Sequence, residues 1–187
     1  FGDDFSGTIV RVGEGVTDLR PGDDVAGMGP YVFRGFLTVN RHMVFRKPDH
    51  ISFIEVATMP TVFLTTHYAL NHLANLRKGE RVLIHAGTGG VGMAANQIAK
   101  NLGAEIFSTA GTPEKRGLLE EMGVDHAMDS RSLDFADEIM EITRGKGVDV
   151  VLNSLAGDFI PKNFSVLAPF GRFLEIGKID IYNNSKI

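Results

Sequence analysis

The run Gly87-Thr88-Gly89-Gly90-Val91-Gly92 holds the residues best suited to do chemistry through the main chain. Gly87, Gly89 and Gly92 stand at the G-x-G-x-x-G spacing. In a strand-to-helix turn, the first such glycine permits a sharp reversal and the second lets backbone approach a pyrophosphate. The third lets helix and strand pack closely. Thr88, Gly90 and Val91 complete the loop, and the helix that follows presents N–H groups and a positive dipole end to phosphate. The spacing alone also fits a tight turn with no ligand. Between a strand and a helix, in a chain that keeps alternating, it predicts a dinucleotide site.

A second position reports which dinucleotide. An acidic residue at the end of the next strand binds a ribose 2′-hydroxyl; small neutral residues with basic neighbours suit a 2′-phosphate. Here the strand ends Ser108-Thr109-Ala110-Gly111-Thr112, followed by Lys115 and Arg116, with Ser130-Arg131 after the third strand. These charges also fit a solvated helix face. The missing acid favours NADPH, with Thr109, Lys115, Ser130 and Arg131 as candidate contacts.

The elements that must position these residues read as an α/β chain. From Arg81 the order is strand, helix, strand, helix, strand, helix, strand, helix, strand. The strands fall at 82–86, 105–109, 125–129, 148–152 and 172–176, and the helices at 91–102, 113–122, 135–143 and 161–167. Gly103 stops the first helix. Val82-Leu83-Ile84 has no polar alternation, as expected of a strand covered on both faces. This alternation predicts right-handed crossovers in a Rossmann doubly wound parallel sheet. Residues 1–50 read as β-rich, with strands at 5–12, 25–27, 36–39 and 43–45 and turns at Gly13-Glu14-Gly15 and Pro21-Gly22-Asp23-Asp24. Residues 51–80 read as connecting helices in two segments around Pro60, leaving 81–187 as the nucleotide domain.

Composition narrows the class. The 187 residues carry 19 basic against 23 acidic side chains, a net charge of −4, with 43% hydrophobic content. That balance offers no footprint for nucleic acid or an anionic membrane. No apolar run approaches the ~18 residues that span a bilayer. The absence of cysteine excludes disulfides and thiolate metal sites. A soluble cytoplasmic enzyme is the expectation. The start inside a strand and the end at Asn183-Asn184-Ser185-Lys186-Ile187 suggest a piece of something longer, and hence an incomplete, inactive active site.

Three strings carry a family resemblance: His85-Ala86-Gly87-Thr88-Gly89-Gly90-Val91-Gly92-Met93-Ala94-Ala95, Asn153-Ser154-Leu155-Ala156-Gly157, and Gly171-Arg172-Phe173-Leu174-Glu175-Ile176-Gly177-Lys178. The chain resembles the enoyl reductase domain of modular polyketide synthases and animal-type fatty acid synthase, within the medium-chain dehydrogenase/reductase superfamily. The likeness runs over essentially its whole length. It implies that residues 1–50 are part of a GroES-like substrate domain. It also implies an enoyl thioester substrate on acyl carrier protein, neighbouring synthase domains and a possible homodimer. Lys178 inherits the role of proton donor, against the plainer reading of a surface lysine at a strand end. Thr65 matches a position facing the cofactor; Asn153 and Leu155 follow the fourth strand, where the family's backbone runs beside the nicotinamide, and Gly177 is a further candidate cofactor contact. Zinc-dependent relatives carry Gly-His-Glu-x-x-Gly where this chain has Gly2-Asp3-Asp4-Phe5-Ser6-Gly7, so Asp3 replaces a ligand histidine and no metal is expected.

Other histidines attract less weight. His85 is expected to make a structural hydrogen bond and His67 to pack or face solvent; His42, His50, His72 and His126 show no metal spacing. Three readings stay open: a synthase enoyl reductase, a free-standing zinc-independent quinone or enone oxidoreductase, and a non-catalytic cofactor-binding relative.

Overall fold

The computed structural model describes residues 2–178. By internal contacts the chain divides into two units, Phe1–Leu64 and Thr65–Ile187. The division falls inside the segment assigned to connecting helices.

The first unit is a three-stranded antiparallel sheet in the order β1 (Asp4–Thr8), β2 (Asp24–Met28), β3 (Val44–Arg46). Gly27 is required where the chain entering β3 crosses it, because a Cβ there would overlap the Met43 carbonyl. Two expected strands are corrected. β1 stops at Thr8, since Gly22 turns in the left-handed region (φ 94°) and its N–H closes on Ile9 O at 2.8 Å, ending the ladder. Residues 36–39 form no strand: Phe36 is exposed and no partner strand flanks it among the described residues. A short helix α1 (Phe53–Val56) opens with a capping box between Ser52 and Glu55. The next helix, α2 (Pro60–Thr66), has Thr61 N–H and Oγ1 both donating to Asp4 Oδ1 near its start, at 3.0 and 2.5 Å.

The second unit is a five-stranded, wholly parallel sheet. Its strands are β4 (Arg81–Ile84), β5 (Glu105–Ala110), β6 (His126–Asp129), β7 (Val148–Asn153) and β8 (Leu167–Glu175), in the spatial order β6-β5-β4-β7-β8. The chain starts in the middle, winds to one side and then returns to the other. That reversal between β4 and β7 opens a crevice at the carboxyl edge.

Strand side chains alternate between two cores. Val82, Ile84, Ile106, Val150 and Leu152 face one cluster with Ala95 and Ala99 of α3 (Gly90–Leu102) and Leu119 of α4 (Pro113–Glu121). Leu83, Phe107 and Val151 face the other with Phe135 and Ile139 of α5 (Phe135–Ile142). Helices therefore cover both faces, which is why Val82-Leu83-Ile84 reads as an unbroken apolar run. Each fully buried Val, Leu, Ile or Phe in these two cores contributes ~1.5–3 kcal/mol of transfer free energy.

The helix and strand boundaries at the end of the unit move. The last helix, α6, runs Phe159–Ser165 rather than 161–167, with Pro161 in the first turn, where no intrahelical N–H is needed. β8 starts at Leu167 rather than 172. Its register jumps from Leu167↔Val148 to Arg172↔Val150, and Phe170 takes a left-handed φ of 64° in the bulge. Among the described residues no helix is long and apolar enough to cross a membrane.

Candidate functional site

Because the five strands are parallel, all their carboxyl ends emerge on one edge of the sheet. The glycine-rich turn follows β4, residues 111–112 follow β5, 130–131 follow β6, 154–155 follow β7 and 176–178 follow β8. The candidates after Arg81 therefore gather at this edge, at the strand ends, in the loops after them or in the first turn of the helix that follows, with Thr109 inside β5.

The glycines divide the work differently from expectation. The left-handed step belongs to Ala86 (φ 52°), not to Gly87. Gly87 is needed because β5 passes close: a Cβ would overlap Ser108 Oγ and meet Leu119 Cδ2 at 3.0 Å. Gly92, in the first turn of α3, lies against the Ala86 carbonyl and the Gly87 backbone, leaving no room for a side chain. Gly89 is the N-cap of α3, and Asn96 Nδ2 donates to Gly87 O at 3.1 Å, tying the loop to its helix. Thr88 and Val91 are half-buried and Gly90 is exposed. The turn is a side-chain-free cradle at a helix N-terminus, which fits a pyrophosphate.

The end of β5 is basic. Arg131, exposed, lays its guanidinium over Gly111, where a Cβ would stand 2.7 Å from Nε. Ser130 N–H donates to Ala110 O at 3.2 Å, drawing the 130–131 loop to the strand end. Arg116 reaches back from α4 to Ala110 O at 3.3 Å and pairs with Asp129 at 3.2 Å. It was passed over in favour of its neighbour Lys115, which is exposed in the first turn of α4. Thr109 lies inside β5, which runs one residue further than expected; its side chain is fully buried and its hydroxyl lies 3.0 Å from His85 Nδ1.

His85 is the start of a buried polar chain. Its Nε2 lies 2.7 Å from Asn163 Oδ1, Asn163 Nδ2 donates to Asn153 Oδ1 at 3.0 Å, and Asn153 Nδ2 donates to Glu175 Oε2 at 2.6 Å. Glu175 Oε1 accepts from Gly177 N–H at 2.5 Å. Since Asn163 Nδ2 is committed to Asn153, its oxygen faces His85, which fixes Nε2 as the protonated nitrogen and Nδ1 as acceptor from Thr109. Burial pushes the imidazole down to about 4, against which the Asn163 bond acts weakly. The ring is neutral at physiological pH, and its expected structural role holds.

Asn153 also bridges to Leu155, donating to its carbonyl at 2.7 Å and accepting from its N–H at 3.2 Å. Its amide is thus consumed within the protein, shaping the 153–155 turn. The neighbouring Ser154 Oγ is buried with no hydrogen-bond partner in the protein. Ile176 N–H donates to Asn153 O at 2.9 Å, carrying the pairing of β7 with β8 up to Gly177 and Lys178. Lys178 is exposed at this edge.

Two threonines end α2. Thr65 is half-buried; Thr66 is fully buried and donates to Val91 O at 3.4 Å, touching the glycine loop itself. After them the helix widens into a π-helical stretch, His67–Leu73, with Ala74 N–H bonded to Ala69 O at 2.9 Å. His67 is exposed, in line with its surface reading.

A sequence model described as zinc-binding dehydrogenase matches residues 90–187. Zinc does not fit here: the chain has no cysteine, and among the described residues no group of three or more His, Asp or Glu converges. Over its whole length the chain is 48% identical to a phthioceranic/hydroxyphthioceranic acid synthase of Mycobacterium tuberculosis, spanning 9% of that protein. Among solved structures, the CurK enoyl reductase matches 97% of this chain at 52% identity with a TM-score of 0.91, and 55% of the reductase is covered. A mycobacterial protein, Rv1454c, solved with NADPH, matches 94% at 31% identity and a TM-score of 0.84, with 56% of it covered. The chain thus spans about half of the solved proteins it matches and about a tenth of the curated synthase. It belongs to the zinc-binding dehydrogenase family, and its likeness within that family is to the enoyl reductase domains of polyketide synthases.

Proposed function

We propose that this chain forms the cofactor-binding core of an NADPH-dependent enoyl reductase that saturates the α,β double bond of a thioester presented on acyl carrier protein, within a multidomain polyketide synthase. One observation carries the reading: a side-chain-free cradle after β4 and an arginine laid across Gly111 after β5 share the edge that also bears Lys178. In this assignment residues 87–92 and the α3 N-terminus hold the pyrophosphate. Arg131, with Ser130, Arg116 and Lys115 around it, takes the 2′-phosphate. The main chain at 153–155 and Gly177 flanks the nicotinamide, with Thr65 across from it.

NADPH, when held there, would supply a hydride to the β-carbon, leaving this chain's residues to stabilise charge at the thioester oxygen and to deliver a proton to the α-carbon. Among the residues at this edge, polarisation is assigned to hydrogen bonds and to the Lys178 ammonium, which can stabilise that oxygen and deliver the proton. In the complete reductase domain, Lys178→Ala should lower kcat on a crotonyl thioester at least tenfold and leave NADPH affinity within a few fold, since the role is confined to the transition state. An unchanged kcat removes Lys178 from the mechanism; efficient reduction of quinones without any enoyl thioester activity replaces the reductase assignment with the quinone oxidoreductase one.

A further inference from the structure

We propose that Glu175 is a positioning residue that fixes the Gly177–Lys178 turn, and that it is itself aligned by the buried chain His85–Asn163–Asn153. The inference rests on the enoyl reductase reading for what the turn does, and on geometry alone for how it is held.

Direction is the informative feature. With His85 protonated on Nε2, as its bond to the Asn163 oxygen requires, every hydrogen bond in the chain points the same way: Thr109 hydroxyl to His85 Nδ1, His85 Nε2–H to Asn163, Asn163 amide to Asn153, Asn153 amide to Glu175. It ends on a carboxylate whose second oxygen receives Gly177 N–H from the opposite direction in sequence. Both neighbours of Glu175 are donors, so only a group with two acceptors can serve both. A glutamine of the same shape must turn its own N–H toward one of them. Nor can Gly177 carry a side chain without displacing the carboxylate, because a Cβ would stand 2.7 Å from Oε1.

The chain crosses the unit from β5 through the residue that follows β4, then α6 and β7, to β8, using side chains that are almost all fully buried. A hydrophobic packing of those positions would cost less to desolvate, since each buried polar group must find its partner. What the polar chain adds is a fixed orientation of the Glu175 carboxylate at the edge where Gly177 and Lys178 emerge. Placement matters steeply for catalysis: an error of about 1 Å can cost about a hundredfold in rate.

The test compares wild type with Glu175→Gln in the complete reductase domain, reading amide exchange at Gly177 and steady-state kinetics with a crotonyl thioester. Glu175 is exposed at the surface, so the isosteric change should leave folding intact. Expected are faster exchange at Gly177 with unchanged protection in β4 and β7, a kcat lowered about tenfold or more, and NADPH affinity and KM within about twofold. His85→Leu should shift kcat in the same direction, and His85→Gln, whose amide N–H can reach Asn163, should restore it. Unchanged exchange at Gly177, or released exchange with unchanged kcat, overturns the proposal. A wild-type domain that reduces no enoyl thioester but still loosens Gly177 on Glu175→Gln overturns the reductase reading and leaves the anchoring of the turn supported.

Discussion

Acidification should destabilise this fold in a way that one buried imidazole, His85, makes separable. His85 is neutral in the folded state because burial holds its pKa down to about 4, against 6.5 for an ordinary histidine. As pH falls, the unfolded chain takes up the proton first. The contribution of the neutral ring is therefore fully present above 6.5 and drains away as pH drops through 6.5 toward 4. Linkage between those two values gives a loss of about 2 kcal/mol between about pH 7.5 and pH 5. Urea unfolding at the two pH values, followed by circular dichroism, measures it. Carboxylates contribute their own acid sensitivity, so the comparison is with His85→Gln, which keeps a donor toward Asn163 and cannot titrate. The wild type should lose about 2 kcal/mol more than the variant over this interval. Equal losses, or an NMR titration placing His85 near 6.5, would refute the buried chain.

Three further outcomes follow from packing and charge. Arg131→Ala should weaken NADPH binding by ~1–3 kcal/mol and leave NADH unaffected, as read by fluorescence titration of both; an equal loss for both cofactors would move the 2′-phosphate site elsewhere. Gly92→Ala forces a Cβ into the Ala86 carbonyl and should cost ~1–3 kcal/mol in urea unfolding together with most of the NADPH affinity; unchanged values would contradict the close approach. Arg172 grips Glu80 through two hydrogen bonds of 2.9 and 2.8 Å and the Ala74 carbonyl at 3.0 Å, so Arg172→Met should destabilise by ~1–3 kcal/mol. The same guanidinium holds the Glu80 carboxyl below its usual range, so this contribution is present above the unfolded carboxylate's pKa and is lost as pH falls through the folded one. A pH-independent effect would contradict the pairing.

The nucleotide unit was legible because its signals are local. A parallel strand buried on both faces announces itself as an apolar run, and Gly103 ends α3 in the left-handed conformation its position implied (φ 74°). The first unit was read less well, since a run such as Phe36-Leu37-Thr38-Val39 becomes a strand only if another strand lies beside it. Within the site, the cradle and the basic end of β5 could be found from spacing. The contact of Thr109 could not, because its hydroxyl meets His85 on a neighbouring part of the sheet. Nor could Asn163, whose contact with His85 joins positions 78 apart and leaves no pattern in either neighbourhood. Arg116 was within reach, because a basic side chain four residues into a helix can fold back to the strand end before it.

The most direct test of the central claim follows the hydride. A single turnover of the complete reductase domain, with NADPH deuterated at the transferable position and a crotonyl thioester, should consume one NADPH per double bond reduced and place deuterium on the β-carbon. Deuterium on the α-carbon, or no NADPH oxidation by a folded, cofactor-binding domain, would contradict the account.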